Sequence, residues 1–234
     1  AGREFLKYAY QISKYESMAI EHFHRPEEPE GHLKIGVMET LCSSEYPELF
    51  YTFQEKYPKI TMYLEILTTH QAIEDLDKGM FDLIFLLDKK ISRPNWETVK
   101  EFPADISFFC SSRHPLANTS SVSLDRLLQE RFILTEKGCN YRDVFENDLA
   151  AAGKKLTCAM EIGHTSYIIR AVSRQLGIGL LPLFTLKEAL TKGDISLIRV
   201  SGYQIQLSVQ VIYNTQRRVS LPLRTMLSEL NHFY

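Results

Sequence analysis

The run Lys137-Gly138-Cys139-Asn140-Tyr141-Arg142 concentrates reactive groups. A thiol just ahead of a helix start, with a guanidinium close by, has two reasons to ionise, because the helix dipole and a neighbouring cation both favour a thiolate. Such a cysteine can be redox-active, can line a pocket, or can simply pack. A second set of groups is the hydroxyls of Thr40, Thr69, Thr165 and Ser166, each lying between an apolar run and an amphipathic stretch. A hydroxyl there caps a helix, and the capped end still offers free N–H groups to an anion. His70, Arg142 and His164 would add positive character beside them. Together these groups fit a carboxylate or phosphate ligand. The plainer alternatives are helix caps that only stabilise, and unrelated surface charges.

These groups need a scaffold, and the hydrophobic pattern supplies one. LKIGVM reads as a strand, followed by a helix opened by Ser43 and Ser44, with Tyr46, Leu49, Phe50, Phe53 and Tyr57 on one face. Pro47 suits its first turn and Pro58 ends it. ITMYLEIL is the next strand, and Thr68 to Gln71 has capping-box spacing for a helix closed by Gly79. DLIFLL completes a β-α-β-α-β segment over 33–87, which implies parallel strands with right-handed crossovers. A second round starts near residue 105. DISFFCS, RFILTE, LTCAMEIG, IGLLP, ISLIRV and QLSVQVIY read as strands. Helices are predicted after Ser123, after Asn140 (closed by Gly153), after Thr165 or Ser166 (closed by Gly177), and from about Leu221. Such lobes place ligands beyond the carboxyl ends of their strands. Four loops fall there: Glu39–Ser44, Thr68–Gln71, Lys137–Arg142 and Gly163–Ser166.

Ahead of this scaffold, Phe5, Ala9, Ile12, Ala19 and Phe23 fall near helical spacing, and the Pro-rich acidic run HRPEEPEG separates that helix from the rest. A helix with an apolar stripe must cover it, and pairing with a second chain would do so.

Composition narrows the function classes. The chain has 234 residues, 44% of them hydrophobic and 24% charged, with a formal net charge of −2. That balance argues against a chain that grips DNA unaided. The four cysteines form no CxxC pair or zinc signature, which favours a reduced, cytoplasmic setting without a metal. His22 and His24, two apart, do not share a helix face. Cys42, Cys110 and Cys158 sit in or beside apolar runs and are expected to pack, and Arg217–Arg218 to be solvated. No apolar run is long enough to cross a bilayer, and no signal core opens the chain. No nucleophile elbow, P-loop, dinucleotide fingerprint or HExxH motif points to an enzyme or a cofactor.

The chain resembles the effector-binding region of LysR-type transcriptional regulators. The matching pieces are GHLKIGV, FQEKYPKITMYLE, DLDKGMFDLIF, HPLA at 114–117, VSLDRLL and AVSRQLGIGLLP, in the family's order across residues 31–233. AGREFLKYA is similar to the start of the family's linker helix. The resemblance implies an α/β fold of periplasmic-binding-protein type 2. Two Rossmann-like lobes are joined by crossing strands and preceded by a linker helix. The implied boundaries are 1–24 for a linker and dimerisation helix, 25–31 for a linker, 31–107 plus 207–234 for lobe I, and 108–206 for lobe II. The DNA-binding winged helix-turn-helix would lie upstream of residue 1. A small effector, expected to be anionic, would bind between the lobes of a homodimer or homotetramer, with no membrane contact. Thr40 and Thr69 match effector-contacting positions of the family, and the loops holding Cys139, Asn140, Arg142, His164, Thr165 and Ser166 would complete the site. His114 falls in a structural turn motif. Peroxide-sensing members carry a reactive cysteine in a loop comparable to that of Cys139. They also have a resolving cysteine shortly downstream, where Asp143–Leu149 has none. A transporter's solute-binding protein of the same fold remains the alternative from another class.

Overall fold

The computed structural model describes residues 28–43 and 46–231. The N-terminal helix expected over 1–24, with His22 and His24, and the helix-opening Ser44 lie outside the described residues. In chain order the elements are β1 (Gly31–Val37), α1 (Glu39–Cys42), α2 (Tyr46–Lys56), β2 (Ile60–Ile66), α3 (Thr69–Lys78), β3 (Leu83–Asp88) and the long β4 (Trp96–Ser111). A 3-10 turn (Pro115–Asn118), α4 (Leu124–Leu127), β5 (Arg131–Leu134), α5 (Asn140–Ala151), β6 (Thr157–Glu161) and α6 (Thr165–Ser173) follow. The chain continues with β7 (Ile178–Pro182), α7 (Leu183–Thr191), β8 (Ile195–Ile198), β9 (Ile205–Asn214) and α8 (Leu221–Leu230).

The strands run in the order β2-β1-β3-β9-β4-β7-β5-β6, with β8 also on β4. β1 is parallel to β2 and β3, as helical crossovers require. β5 is likewise parallel to β6 and β7. Between these parallel groups, β4 and β9 pair antiparallel from Trp96↔Asn214 to Ile106↔Ile205. β9 also pairs with β3, and the far end of β4 with β7 and β8. Two lobes are thus joined by two shared strands.

Each lobe buries its own apolar face. Tyr46, Leu49, Phe50 and Phe53 form the buried stripe of α2, and Phe50 meets Phe85 of β3 edge-on at 5.3 Å between ring centroids. The capping box predicted for α3 is present: Thr68 accepts from the Gln71 amide, and Gln71 accepts from Thr68 N. Gly79 ends α3 in the left-handed region, φ 74°. In lobe II, Phe108 and Phe145 lie 4.9 Å apart and Phe145 and Tyr203 5.8 Å. Aromatic pairs in such geometries add about 1 kcal/mol each to the area they bury. His114 holds the turn at Pro115, with Nδ1 accepting from Leu116 N.

Several local expectations are corrected. β4 begins at Trp96 rather than near residue 105. Its first half is half-exposed, contains Pro103 and carries an irregularity between Thr98 and Lys100, so neither alternation nor a buried run betrays it. The Glu39–Ser44 loop contains the one-turn helix α1, and α7 lies between IGLLP and ISLIRV. Gly177 does not close α6. Gln175 takes the left-handed conformation instead, φ 63°. Gly177 serves close packing, since a Cβ there would stand 2.5 Å from the Arg131 carbonyl oxygen. Cys158 is exposed rather than packed. Arg217 and Arg218 are exposed, as expected, and Arg217 also donates to the Asp77 carbonyl at 3.2 Å. Among the described residues no helix is long and apolar enough to cross a membrane.

Candidate functional site

The carboxyl ends of β1 and β2 face those of β5 and β6, where doubly wound sheets place ligands. A cavity of about 200 Å³ lies between them. Met38–Thr40, Ile66–Thr69 and Gln71 line it from lobe I, and Thr135, Glu136, Gly138, Cys139 and Gly163 from lobe II. A roomier, more open depression of about 550 Å³ runs along α5 to the Gly153–Cys158 turn. It contains none of the nine residues singled out from the sequence, so the cleft is the better candidate.

Among the described residues, three sets of polar contacts cross the cleft. The Asn140 amide donates to Thr69 Oγ1 and to the Leu87 carbonyl, both at 2.8 Å. Thr69 in turn donates to Met38 Sδ at 3.3 Å, and the same sulfur accepts from Leu87 N at 3.1 Å. Thr40 Oγ1 and the Tyr141 hydroxyl stand 3.5 Å apart. The third contact joins Glu39 of α1 to the start of α6. Thr165 N donates to Glu39 Oε1 at 3.2 Å, and Thr165 Oγ1 donates to Oε2 at 2.6 Å. His164 Nδ1 lies 3.2 Å from Oε1, and Ser43 Oγ donates to the same oxygen at 3.0 Å.

That last contact replaces an expected cap. Neither Thr165 nor Ser166 caps α6 through its side chain. His164 holds the N-cap position and supplies no side-chain acceptor, and the first turn has no acidic residue. The first N–H groups of a helix need an acceptor and favour negative charge. A carboxylate from the opposite lobe provides both. α5 is similar in lacking a side-chain cap: Cys139, not Asn140, is at its N-cap position.

The nine predicted residues therefore divide. Thr40, Thr69 and Cys139 line the cavity, while Asn140 and Thr165 bridge the lobes at its edge. His164 is exposed but meets Glu39, and Ser166 is exposed with its hydroxyl 3.1 Å from His164 Nδ1. His70 is exposed on α3 and takes no part in the cavity lining. Arg142 departs furthest from expectation. Its side chain is only 3% exposed, with Nε bound to Glu146 at 2.7 Å and Nη1 to Glu161 at 2.8 Å. Nη1 also donates to the Thr135 carbonyl. The guanidinium is thus spent on its own lobe and offers no free charge to a ligand. Burial works against its charge, but the hydrogen bonds to Glu146 and Glu161 outweigh that and raise its pKa.

Of the three readings of Cys139, its place in the cavity lining fits the pocket-lining one. The residue is buried, and burial pushes its thiol pKa up, with Glu136 adding to the rise. The Thr135 and Tyr141 hydroxyls and the Arg142 backbone pull the other way and do not reverse it. A thiol with a raised pKa has less thiolate at neutral pH and is a slower nucleophile, which weighs against the redox-sensor alternative. Tyr141 is fully buried, and burial holds its phenol well above the ordinary range. Thr135 Oγ1 is buried and makes no hydrogen bond of good geometry among the described residues. It still lies near enough to the Cys139 thiol and the Tyr141 hydroxyl to favour their ionised forms. No group of three His, Cys, Asp or Glu side chains that could hold a metal occurs among the described residues.

The sequence reading missed Glu39, Thr135 and Tyr141 as site residues. Glu39 and Tyr141 fall inside loops it did mark, but an acid in a loop and an aromatic in a helix carry no local sign of a partner across a cleft. Thr135 lies just outside the marked loops, at the end of β5.

Two α/β lobes around a hydroxyl-lined cleft define a small-molecule-binding domain of the periplasmic-binding-protein type. The family model described as the LysR substrate binding domain matches residues 26–233, and the chain belongs to that family. The HTH-type transcriptional regulator YwqM of Bacillus subtilis (strain 168) is 27% identical over 228 residues, which is 97% of this chain and 77% of that protein. The HTH-type transcriptional activator CmpR of Synechocystis sp. is 29% identical over 202 residues, 86% of this chain and 65% of that protein. The chain thus spans about two thirds to three quarters of these relatives' lengths. In fold it is similar to the effector binding domain of QuiR, solved in complex with shikimate. The TM-score is 0.71 at 16% identity, covering 88% of this chain and 97% of that one.

Proposed function

We propose that this chain senses a small effector in the inter-lobe cleft on behalf of a DNA-binding transcription regulator, and that the effector carries a carboxylate or similar anionic group. One observation carries the reading: loops from both lobes converge on one cavity, and a carboxylate already sits at the start of α6. The hydroxyls of Thr40, Thr69 and Thr135 give a ligand polar partners without fixed charge. The QuiR domain's ligand, shikimate, is itself a carboxylate. An effector that binds both lobes favours one lobe arrangement over another, and only that difference in affinity can transmit a signal.

Around that core we place lobe I at 31–107 plus 207–234 and lobe II at 108–206, and assign pairing with a second copy to residues 1–24. DNA contact belongs to a winged helix-turn-helix ahead of these residues, in keeping with the greater length of the HTH-type relatives. The regulator works in the cytoplasm as a dimer or tetramer. β2 and β6 end the strand order, and they expose Tyr63, Leu64 and Ile66 on one and Met160 on the other. Unpaired apolar edges of this kind invite a second copy. The relatives are regulators, and we assign no catalytic role.

A thermal-shift screen against small carboxylates, phosphate esters and neutral polyols tests the reading. A ligand at a hundredfold its Kd adds about 2.7 kcal/mol, which for a chain of this size is a rise in Tm of roughly 5–10 °C. The expected result is a hit among the anions that Thr165→Val weakens. A hit that Thr165→Val and Thr69→Val both leave untouched would place binding elsewhere, and a screen without any hit would count against sensing.

A further inference from the structure

We propose that Glu39 is a tethered competitor of the effector: its carboxylate occupies the anion seat at the start of α6, and the effector's anionic group binds by displacing it. This rests on the reading of the cleft as the effector site.

The seat is already formed around a carboxylate. Thr165 supplies its backbone N–H at 3.2 Å and its hydroxyl at 2.6 Å, and His164 Nδ1 stands 3.2 Å away. α6 spans nine residues and has no cap of its own. Its acceptor comes from 126 residues away, on the other lobe. The contact therefore exists only while the lobes are together, unlike a local cap.

Glu39 also has somewhere to rest when displaced. It lies in the first turn of α1, and Ser43 Oγ binds it from within lobe I at 3.0 Å. Exchanging one carboxylate for another at α6 is nearly neutral, so the effector's advantage must come from elsewhere in the cavity. Thr135 lines the same cavity and is 5% exposed, and its hydroxyl lies near the Cys139 thiol and the Tyr141 hydroxyl but makes no hydrogen bond of good geometry among the described residues. A buried hydroxyl in that state favours a ligand that brings a polar atom to it. The tethered carboxylate, bound to Thr165, makes no such hydrogen bond. A free anion competing with the tether must match an effective concentration in the millimolar range. Weak small anions are thereby excluded, and effectors with a second anchoring group are selected.

The test uses formate, the smallest carboxylate, as probe, with chloride keeping ionic strength constant. The whole chain is compared as wild type, Glu39→Ala, Glu39→Gln and the double variant Glu39→Ala with Thr165→Val, by thermal shift. Glu39→Ala should lower the Tm, and formate should restore it saturably, with an apparent affinity at least tenfold above that of the wild type. Glu39→Gln, whose amide keeps the shape without the charge, should respond less. The double variant should not respond. Equal formate effects on wild type and Glu39→Ala, or none on a Glu39→Ala chain with native circular dichroism, would overturn the proposal. Should Glu39→Ala fail to fold, Glu39→Gln carries the same comparison. An effector screen without a hit would sink the sensor reading, whereas formate rescue stands or falls on Glu39 alone.

Discussion

The starts of α5 and α6 both follow lobe II strands, both face the cleft, and both lack a side-chain cap. They solve the same electrostatic problem differently. At α5, Asp143 accepts from Gly138 N at 3.3 Å, while Arg142 turns back to Glu146, Glu161 and the Thr135 carbonyl. Only neutral groups, the Asn140 amide and the Tyr141 hydroxyl, reach across from α5 to lobe I among the described residues. At α6 the acceptor is Glu39, a charged group from the other lobe. One helix start carries an acidic residue of its own, and the other meets a carboxylate only when the lobes are together. Positive character was expected from His70, Arg142 and His164 together, at three separate loops. The geometry moves the switchable charge to α6 instead.

The largest effect should come from Arg142→Met. Losing a charge-assisted hydrogen bond to a buried carbonyl costs about 2 kcal/mol, read as a lower urea midpoint. Effector affinity should fall no further than the loss of folded protein explains. A variant of full stability that no longer binds the effector would return Arg142 to the ligand and erase the contrast between the two helices.

Asn140→Ala should cost somewhat less, about 1.5 kcal/mol for two neutral hydrogen bonds. Because both bonds cross the lobes, the change should also raise the radius of gyration in solution scattering. Unchanged scattering with lowered stability would make Asn140 a packing residue rather than a bridge. Thr68→Ala removes the capping box of α3, at about 1 kcal/mol or less. It should lower the urea midpoint, and an unchanged midpoint would show that the cap adds nothing to α3.

The smallest effect concerns chemistry. Cys139 is buried with a raised pKa, and Cys158 is exposed. Iodoacetamide should therefore modify Cys158 first in a mass-spectrometric time course at neutral pH. Cys139 should lag, with its rate still climbing at alkaline pH. The sign for stability follows the same way. A thiol whose folded pKa lies above its unfolded one contributes stability below the unfolded value, and that stability is lost as pH rises toward the folded value. A fast reaction at Cys139 near neutrality would restore the redox reading and make the α5 loop the sensing element.

What the sequence disclosed follows from the range of the forces involved. The capping box Thr68–Gln71, the buried stripe of α2 and the fully buried β3 are set by neighbours within a turn or a strand, and periodicity reports them. The pairing of Glu39 with Thr165 is not legible that way, although Thr165 itself stands out at a helix start, because neither residue type needs a partner until the fold brings the lobes together. Arg142 invited a wrong role for a related reason. Its partner Glu146 is one turn away and readable, but Glu161 and the Thr135 carbonyl complete the burial of its charge through the fold. The first half of β4 stayed hidden because its pairing with β9 is carried by the backbone, not by an apolar pattern. α7 merges with the apolar run of β7, so no polar break marks where strand becomes helix.

The most direct test is amide NMR of the 15N-labelled chain during titration with the best anionic hit of the screen. The account predicts that the Thr69 and Thr165 amides, one from each lobe, shift together with a single Kd, while the Asp143 amide inside α5 moves little. Shifts confined to the Lys137–Asp143 segment, with Thr165 silent at saturation, would contradict it.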